Sequence, residues 1–360
     1  MARILIFINH SLALYKFRRE LPEQLINEGH EVYLCYPNHD KDDYFVNLGC
    51  KLIHFDMERK STNLLKEINN ISNFKKLCRD IKPDVLLTYT LKCCLYGSYI
   101  KGVKKIATVT GQSAFFKNTN GIKKIIYKNI LQRFKKYDYV FFQNENDKKV
   151  FLPLFKDKED KIVLVPGSGV NPMEHPYQGD INNDVFTFSF IGRIIKQKGI
   201  CEYLDAIKLI TQKEVNFLIA GPMEDELIQK QINDLHDDRV HYLGDVEKIN
   251  DLYKNSSCVI VPSYSEGMSN ALLEAQACGR PTIATNISGC KETMIPNVSG
   301  FLVEPRDSYS LATAMKMMLA KSNAELSEMG KKGKEHVLKN FSRSLVISEY
   351  IKCINKLLNN

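Results

Sequence analysis

Short apolar runs alternate with stretches of helical periodicity along this chain, and that rhythm predicts parallel strands joined by helices. In the first half, the runs 3–8, 31–36, 51–55, 84–88, 105–109, 139–142 and 162–165 read as strands. Helical spacing recurs over 17–27, which ends at Gly29, and over 69–81, which stops before Pro83. It returns over 120–136 and 145–154. Pro166-Gly167-Ser168-Gly169 then breaks the pattern, and the polar, proline-containing stretch 171–184 reads as a linker region. The second half restarts with strands at 186–191, 215–220, 240–243, 258–261 and 282–284, helices at 200–212 and 225–235, and a last helix over 343–358. The alternation implies an α/β chain of two doubly wound, Rossmann-like domains, 1–168 and 169–342. A length of 360 residues allows each its own core. No internal repeat or low-complexity tract interrupts it.

Composition narrows the class. Hydrophobic content of 44% and charged content of 26% are ordinary for a soluble globular protein. No run approaches the ~20 apolar residues of a membrane span, and Met1 to Ile8 is too short for a signal-peptide core. The ten cysteines form no C-x-x-C pair and no Cys/His cluster of zinc spacing, so free thiols in a reducing cytoplasm are expected. Charge is uneven: residues 1–180 carry a net +9 and residues 181–360 a net −1. Residues 101–137 hold ten Lys/Arg and no acid.

The stretch Pro262-Ser263-Tyr264-Ser265-Glu266-Gly267-Met268-Ser269-Asn270 follows the apolar run Cys258–Val261 and leads into the helix-forming run 271–277. Gly267 permits a tight turn, and Ser269 and Asn270 are good N-cap residues. A helix start offers N–H groups and a positive dipole end to a phosphate. Glu266 and Glu274 add two acceptor-only carboxylates, suited to sugar hydroxyls. An ordinary βα unit with solvated carboxylates is the plainer alternative. Upstream, the strand 186–191 runs into Gly192-Arg193-Ile194-Ile195-Lys196-Gln197-Lys198-Gly199. Arg193 and Lys198 at a strand's carboxyl end suit a diphosphate leaving group, where negative charge builds as the bond breaks.

These two elements resemble the E-x7-E element and the G-R-x-x-x-x-K-G signature of the retaining glycosyltransferases of family 4, and the likeness extends over almost the whole chain. The resemblance implies the GT-B fold: two domains facing a cleft, with the terminal helix 343–360 crossing back to the first. It implies a donor site of Gly192, Gly267, Met268, Ser269, Asn270 and Glu274, with Glu274 on the ribose. Arg193, Lys198 and Glu266 would be the catalytic groups. The amides of 267–270 would touch the phosphates, and the turns at Gly221-Pro222 and Gly244-Asp245-Val246 would cradle the base. Uridine is favoured by resemblance, as is transfer of a hexose or N-acetylhexosamine, best N-acetylgalactosamine or N-acetylglucosamine, to a glycan on polyprenyl diphosphate. The resemblance implies metal-independent chemistry with no cofactor.

On the acceptor side, His10, Lys92, Gly111 and Gln112 follow strands and are candidate sugar or acceptor contacts. Where many family members have a Gly-Gly loop, this chain has Ser11-Leu12-Ala13-Leu14, so glycine amide contacts do not carry over. In 120–136, Ile122, Ile125, Ile126, Ile130 and Phe134 form one stripe flanked by lysines. Lys123, Lys124 and Lys128 are the candidate membrane-facing residues, aided by Phe115, Phe116 and Lys117, which suits peripheral docking on the anionic inner face of the cell membrane. A core-facing stripe with solvated lysines is the alternative. No nucleic-acid motif accompanies the charge. Two other functions stay open: a sugar-nucleotide 2-epimerase, and a non-catalytic subunit that binds nucleotide sugar. No Gly-x-Gly-x-x-Gly follows the first strand, which disfavours a dehydrogenase.

Overall fold

The computed structural model describes residues 1–58, 63–111, 128–156 and 158–359. The chain divides into two compact units, Met1–Ser168 with Ser344–Asn360, and Gly169–Arg343.

Unit 1 holds β1 (Arg3–Phe7), β2 (Glu31–Tyr36), β3 (Lys51–His54), β4 (Val85–Tyr89), β5 (Lys104–Val109), β6 (Tyr139–Phe142) and β7 (Ile162–Leu164). They pair in parallel in the order β3-β2-β1-β4-β5-β6-β7. The central strands β1 and β4 are almost wholly apolar and buried, as strands covered on both faces require. On one face Leu14, Leu21 and Leu25 pack with Val346, Ile347, Tyr350 and Ile354 of the helix Arg343–Asn359. The Tyr350 ring stacks on Phe141 at 4.2 Å and 8°, and its hydroxyl shares a 2.7 Å hydrogen bond with Thr108 Oγ1. On the other face Phe7 and Phe55 pack on Phe74 and Tyr96.

Unit 2 holds β8 (Phe186–Ile191), β9 (Val215–Ala220), β10 (Val240–Gly244), β11 (Cys258–Val261), β12 (Thr282–Thr285) and β13 (Gly300–Val303). They pair in parallel in the order β10-β9-β8-β11-β12-β13. In both sheets the strand order reverses beside the first strand, between β1 and β4 and between β8 and β11. Ligands of doubly wound sheets bind outside the carboxyl ends at such a reversal.

Several local readings are corrected. The helix expected over 17–27 is two, Ser11–Arg18 and Glu20–Asn27. His10 Nδ1 accepts from Leu12 N–H and starts the first early, while Pro22 has no N–H to give to the Arg18 carbonyl. The helix expected from 69 begins at Leu64, because Asn63 caps Leu65 and Lys66 N–H. Of 120–136, the described part is helical over 128–132 and closes as a 3₁₀ turn, Arg133–Lys136. Lys123, Lys124, Phe115, Phe116 and Lys117 lie outside the described residues. Lys128 is exposed. Helices Leu91–Gly97, Ile249–Asn255, Ser308–Leu319 and Asn323–Asn340, and strand β13, have no counterpart in the sequence reading.

Candidate active site

The loops leaving β8 and β11 are neighbours because those strands pair. Gly199 ends the 3₁₀ turn Lys196–Lys198 at φ 76, and a Cβ there would collide with the Pro262 carbonyl oxygen. The loops therefore touch backbone to backbone, and Tyr264 N–H donates to Gln197 O at 2.9 Å. That contact delivers Lys198 to Glu266: Nζ and Oε1 are 2.5 Å apart, with the side chains 22% and 11% exposed. Ser263 Oγ donates to the same Oε1 at 2.7 Å. Thr285 Oγ1, at the end of β12, fixes the Ser263 carbonyl at 2.5 Å.

A third loop, after β12, closes on the same element. A Cβ on Gly289, which has φ +89, would stand 2.8 Å from the carbonyl oxygens of both Glu266 and Gly267. The Gly289 carbonyl accepts Ser269 N–H at 2.8 Å. The Ser269 amide, one of the expected phosphate donors of 267–270, is therefore already bonded. Ser269 is the N-cap of helix Asn270–Ala277 but makes no side-chain cap bond. The buried Asn270 Oδ1 has no hydrogen-bond partner among the described residues.

Arg193 Nη1 lies 3.4 Å from both carboxylate oxygens of Glu224, in the loop after β9. Half-buried Val246 follows β10, and Met268 packs against Leu273 and Phe341. Glu274 faces Tyr253 and His175. The Tyr253 hydroxyl donates to its Oε2 at 2.9 Å, and His175 Nε2 stands 3.9 Å from Oε1. Burial, then the Glu274 charge, pushes the Tyr253 hydroxyl far above the usual tyrosine range, so it remains a donor. Ser263 belongs to the signature run itself, whereas Glu224, Tyr253, His175 and Gly289 carry no motif signal. Glu224 and Gly289 lie in loops after β9 and β12, Tyr253 is on the helix Ile249–Asn255, and His175 is in the polar stretch before β8.

In unit 1, His10 Nδ1 accepts from Leu12 N–H at 3.2 Å and lies 3.4 Å from Asn38 Nδ2. Lys92, the candidate acceptor contact, has Nζ 2.8 Å from Glu67 Oε1 and 2.6 Å from the Glu58 carbonyl. Gly111 is half-buried at φ 89. Gln112 lies outside the described residues. Among the described residues one group offers metal-ligand atoms, His39, Asp42 and His54, all within 4.8 Å of one another.

Two all-parallel sheets, each with its strand order reversed beside the first strand, and a cation–carboxylate site at one reversal define a glycosyltransferase of the GT-B class. Residues 185–321 match the model for glycosyl transferases group 1, and residues 3–144 match the glycosyl transferase 4-like model. The chain belongs to that glycosyltransferase family. It is 22% identical to the N,N'-diacetylbacillosaminyl-diphospho-undecaprenol alpha-1,3-N-acetylgalactosaminyltransferase of Campylobacter jejuni, over 98% of this chain and 99% of that protein. It is 26% identical to the UDP-Gal:alpha-D-GlcNAc-diphosphoundecaprenol alpha-1,3-galactosyltransferase of Escherichia coli, over 71% of each. Among solved structures it resembles Anabaena HepE in complex with UDP-glucose, with a TM-score of 0.80, 13% identity, and 99% of this chain and 100% of that one covered. No described helix is long and apolar enough to cross a membrane.

Proposed function

We propose that this glycosyltransferase is a retaining enzyme that moves a hexose or N-acetylhexosamine from a UDP-sugar to a glycan carried on polyprenyl diphosphate, at an anionic cytoplasmic membrane face. Unit 2 takes the donor and unit 1 the acceptor. The Lys198–Glu266 pair carries the reading: it holds a cation for a departing phosphate and a carboxylate for sugar hydroxyls in one place, beside a helix start. Relatives whose names specify a diphospho-undecaprenol acceptor support the acceptor class.

In the proposed reaction the acceptor hydroxyl attacks the anomeric carbon on the face from which UDP departs. The bond from that carbon to the β-phosphate oxygen breaks, its electron pair stays on that oxygen, and the acceptor proton passes to it. Lys198 leaves Glu266 to meet the growing negative charge, Arg193 joins it, and Glu266 turns to the donor sugar. Glu274, held by Tyr253, takes the ribose hydroxyls. No protein base is required, and turnover is expected to persist in excess EDTA.

The test is UDP release from a panel of UDP-sugars, with and without a polyprenyl-diphosphate-linked sugar. Acceptor-dependent release from one donor supports the proposal and names its sugar. Epimerised donor without an acceptor, or binding without turnover, overturns it.

A further inference from the structure

At the carboxyl edge of β1 and β4, where the first sheet reverses, polar groups are buried with little compensation among the described residues. Arg18 ends the helix that follows β1, is 8% exposed, and makes no ion pair among the described residues. Its guanidinium carbon lies 4.7 Å from the centre of the Tyr89 ring. The hydroxyl of Tyr89, the last residue of β4, is buried beside Arg18 and the Tyr350 hydroxyl, and Oγ1 of the next residue, Thr90, is buried beside the Cys93 thiol, neither with a well-formed hydrogen bond among the described residues. Thr90 has φ 72 and ψ 154, a region that is essentially reserved for glycine. It is held there from both sides: its N–H donates to Thr108 O at 3.2 Å, and its carbonyl accepts Cys94 N–H at 3.0 Å.

A buried guanidinium with no acid among the described residues is costly, and two buried hydroxyls that make no well-formed hydrogen bond there add to the cost. A single anion with several oxygens neutralises the first and gives the other two an acceptor. Strain on a residue other than glycine is retained where neighbours over-determine it, and it gathers at ligand sites. We infer that Arg18, Tyr89 and Thr90 form a phosphate-binding subsite of unit 1 that receives the acceptor's diphosphate. Arg18 supplies planar N–H donors to the phosphate oxygens and the two hydroxyls donate beside it. This rests on the acceptor class proposed above. It assigns the charge recognition to Arg18 in place of Lys92, which Glu67 already engages.

The test compares wild type with Arg18→Gln, Arg18→Lys and Thr90→Gly. Each is assayed at saturating donor on a polyprenyl-diphosphate-linked sugar and on the same sugar as a phosphate-free glycoside. Binding of inorganic pyrophosphate is measured by calorimetry. Arg18→Gln should raise KM for the diphosphate-linked acceptor about tenfold or more, as loss of a charge-assisted hydrogen bond predicts. It should abolish pyrophosphate binding and leave donor KM and the glycoside KM within about twofold. Arg18→Lys should recover part of the loss. Thr90→Gly should melt at a higher temperature, because strain is relieved, yet bind the diphosphate-linked acceptor more weakly.

Unchanged acceptor KM and pyrophosphate binding in folded Arg18→Gln and Thr90→Gly overturn the subsite, as does an equal loss on both acceptors. If Arg18→Gln does not fold, Arg18→Lys and Thr90→Gly decide. Absence of turnover by wild type on every donor overturns the proposed function instead. Tight pyrophosphate binding that the linked acceptor does not displace would assign the subsite to a free phosphate and overturn its assignment to the acceptor.

Discussion

Lys198 Nζ lies 2.5 Å from Glu266 Oε1, so the loop that leaves β8 is bonded through its side chain to the loop that leaves β11. The pair has two consequences that separate on mutation. Lys198→Ala removes the cation proposed to meet the leaving group and also strands a carboxylate that is 11% exposed. Turnover should fall by about 100-fold or more, the roughly 3 kcal/mol expected of one such contact. Adding Glu266→Gln should restore the melting temperature without restoring turnover. Single-turnover rates and thermal melts on the same samples check both halves. Arg193→Ala should lose turnover on a similar scale but little stability, because Arg193 is 40% exposed and 3.4 Å from Glu224.

Gly289→Ala should affect the donor more than the fold. The new methyl meets the Glu266 and Gly267 carbonyls at 2.8 Å, at a φ of +89. Strain of about 1–3 kcal/mol is expected, and relief comes by pushing the Glu266–Ser269 turn away from its neighbours. UDP affinity by calorimetry should weaken several-fold while far-UV circular dichroism is unchanged.

The two signature runs were legible because each keeps its chemistry within one loop: Gly192 to Gly199 and Pro262 to Asn270 need only the strand before them to be placed. The doubly wound fold was legible for a related reason, since fully buried strands such as β4 and β11 are continuous apolar runs. What could not be read lies in contacts between loops far apart in sequence. Ser269 looked like an open phosphate donor until the Gly289 carbonyl, twenty residues on, took its N–H. Lys92 looked available until Glu67, on a helix whose start was read five residues late, engaged it. The strain at Thr90 has no sequence signal, because threonine announces nothing about its φ.

Tyr253→Phe should raise donor KM a few-fold and leave kcat nearly unchanged. It removes the 2.9 Å bond that orients Glu274, worth about 1 kcal/mol. Burial and Glu274 hold the wild-type hydroxyl protonated well above pH 10, so this tyrosine adds no pH dependence to donor KM between about pH 6 and 9. Initial-rate kinetics across that range check both statements.

Asp237 should make stability fall in acid. Its carboxylate accepts from Arg239 Nε at 2.9 Å and Nη2 at 2.6 Å, and the Arg239 hydrogen bond holds its pKa below the usual aspartate range. A depressed folded-state pKa contributes stability that is present above the unfolded value and is lost as pH falls through the lowered one. Asp237→Asn should therefore melt lower at pH 7, and its deficit should shrink toward pH 3. Melting temperatures from pH 7 to 3 decide it.

Replacing Lys123, Lys124 and Lys128 together with Gln should weaken binding to vesicles containing anionic lipid and spare activity on a short soluble acceptor. Each basic residue near an anionic surface contributes about 1 kcal/mol. Vesicle co-sedimentation at two salt concentrations tests the first half, and equal loss in both assays would count against a membrane role.

The helix Arg343–Asn359 completes the core of unit 1, but it follows all of unit 2 in the chain. Order of synthesis therefore runs against order of sequence. Unit 2 is one uninterrupted stretch and can close while its last residues are leaving the ribosome. Unit 1, begun first, must wait with Phe141 and Thr108 uncovered until Tyr350 arrives. A message cut short after residue 343 would release a complete unit 2 joined to a unit 1 that still exposes a face of its sheet.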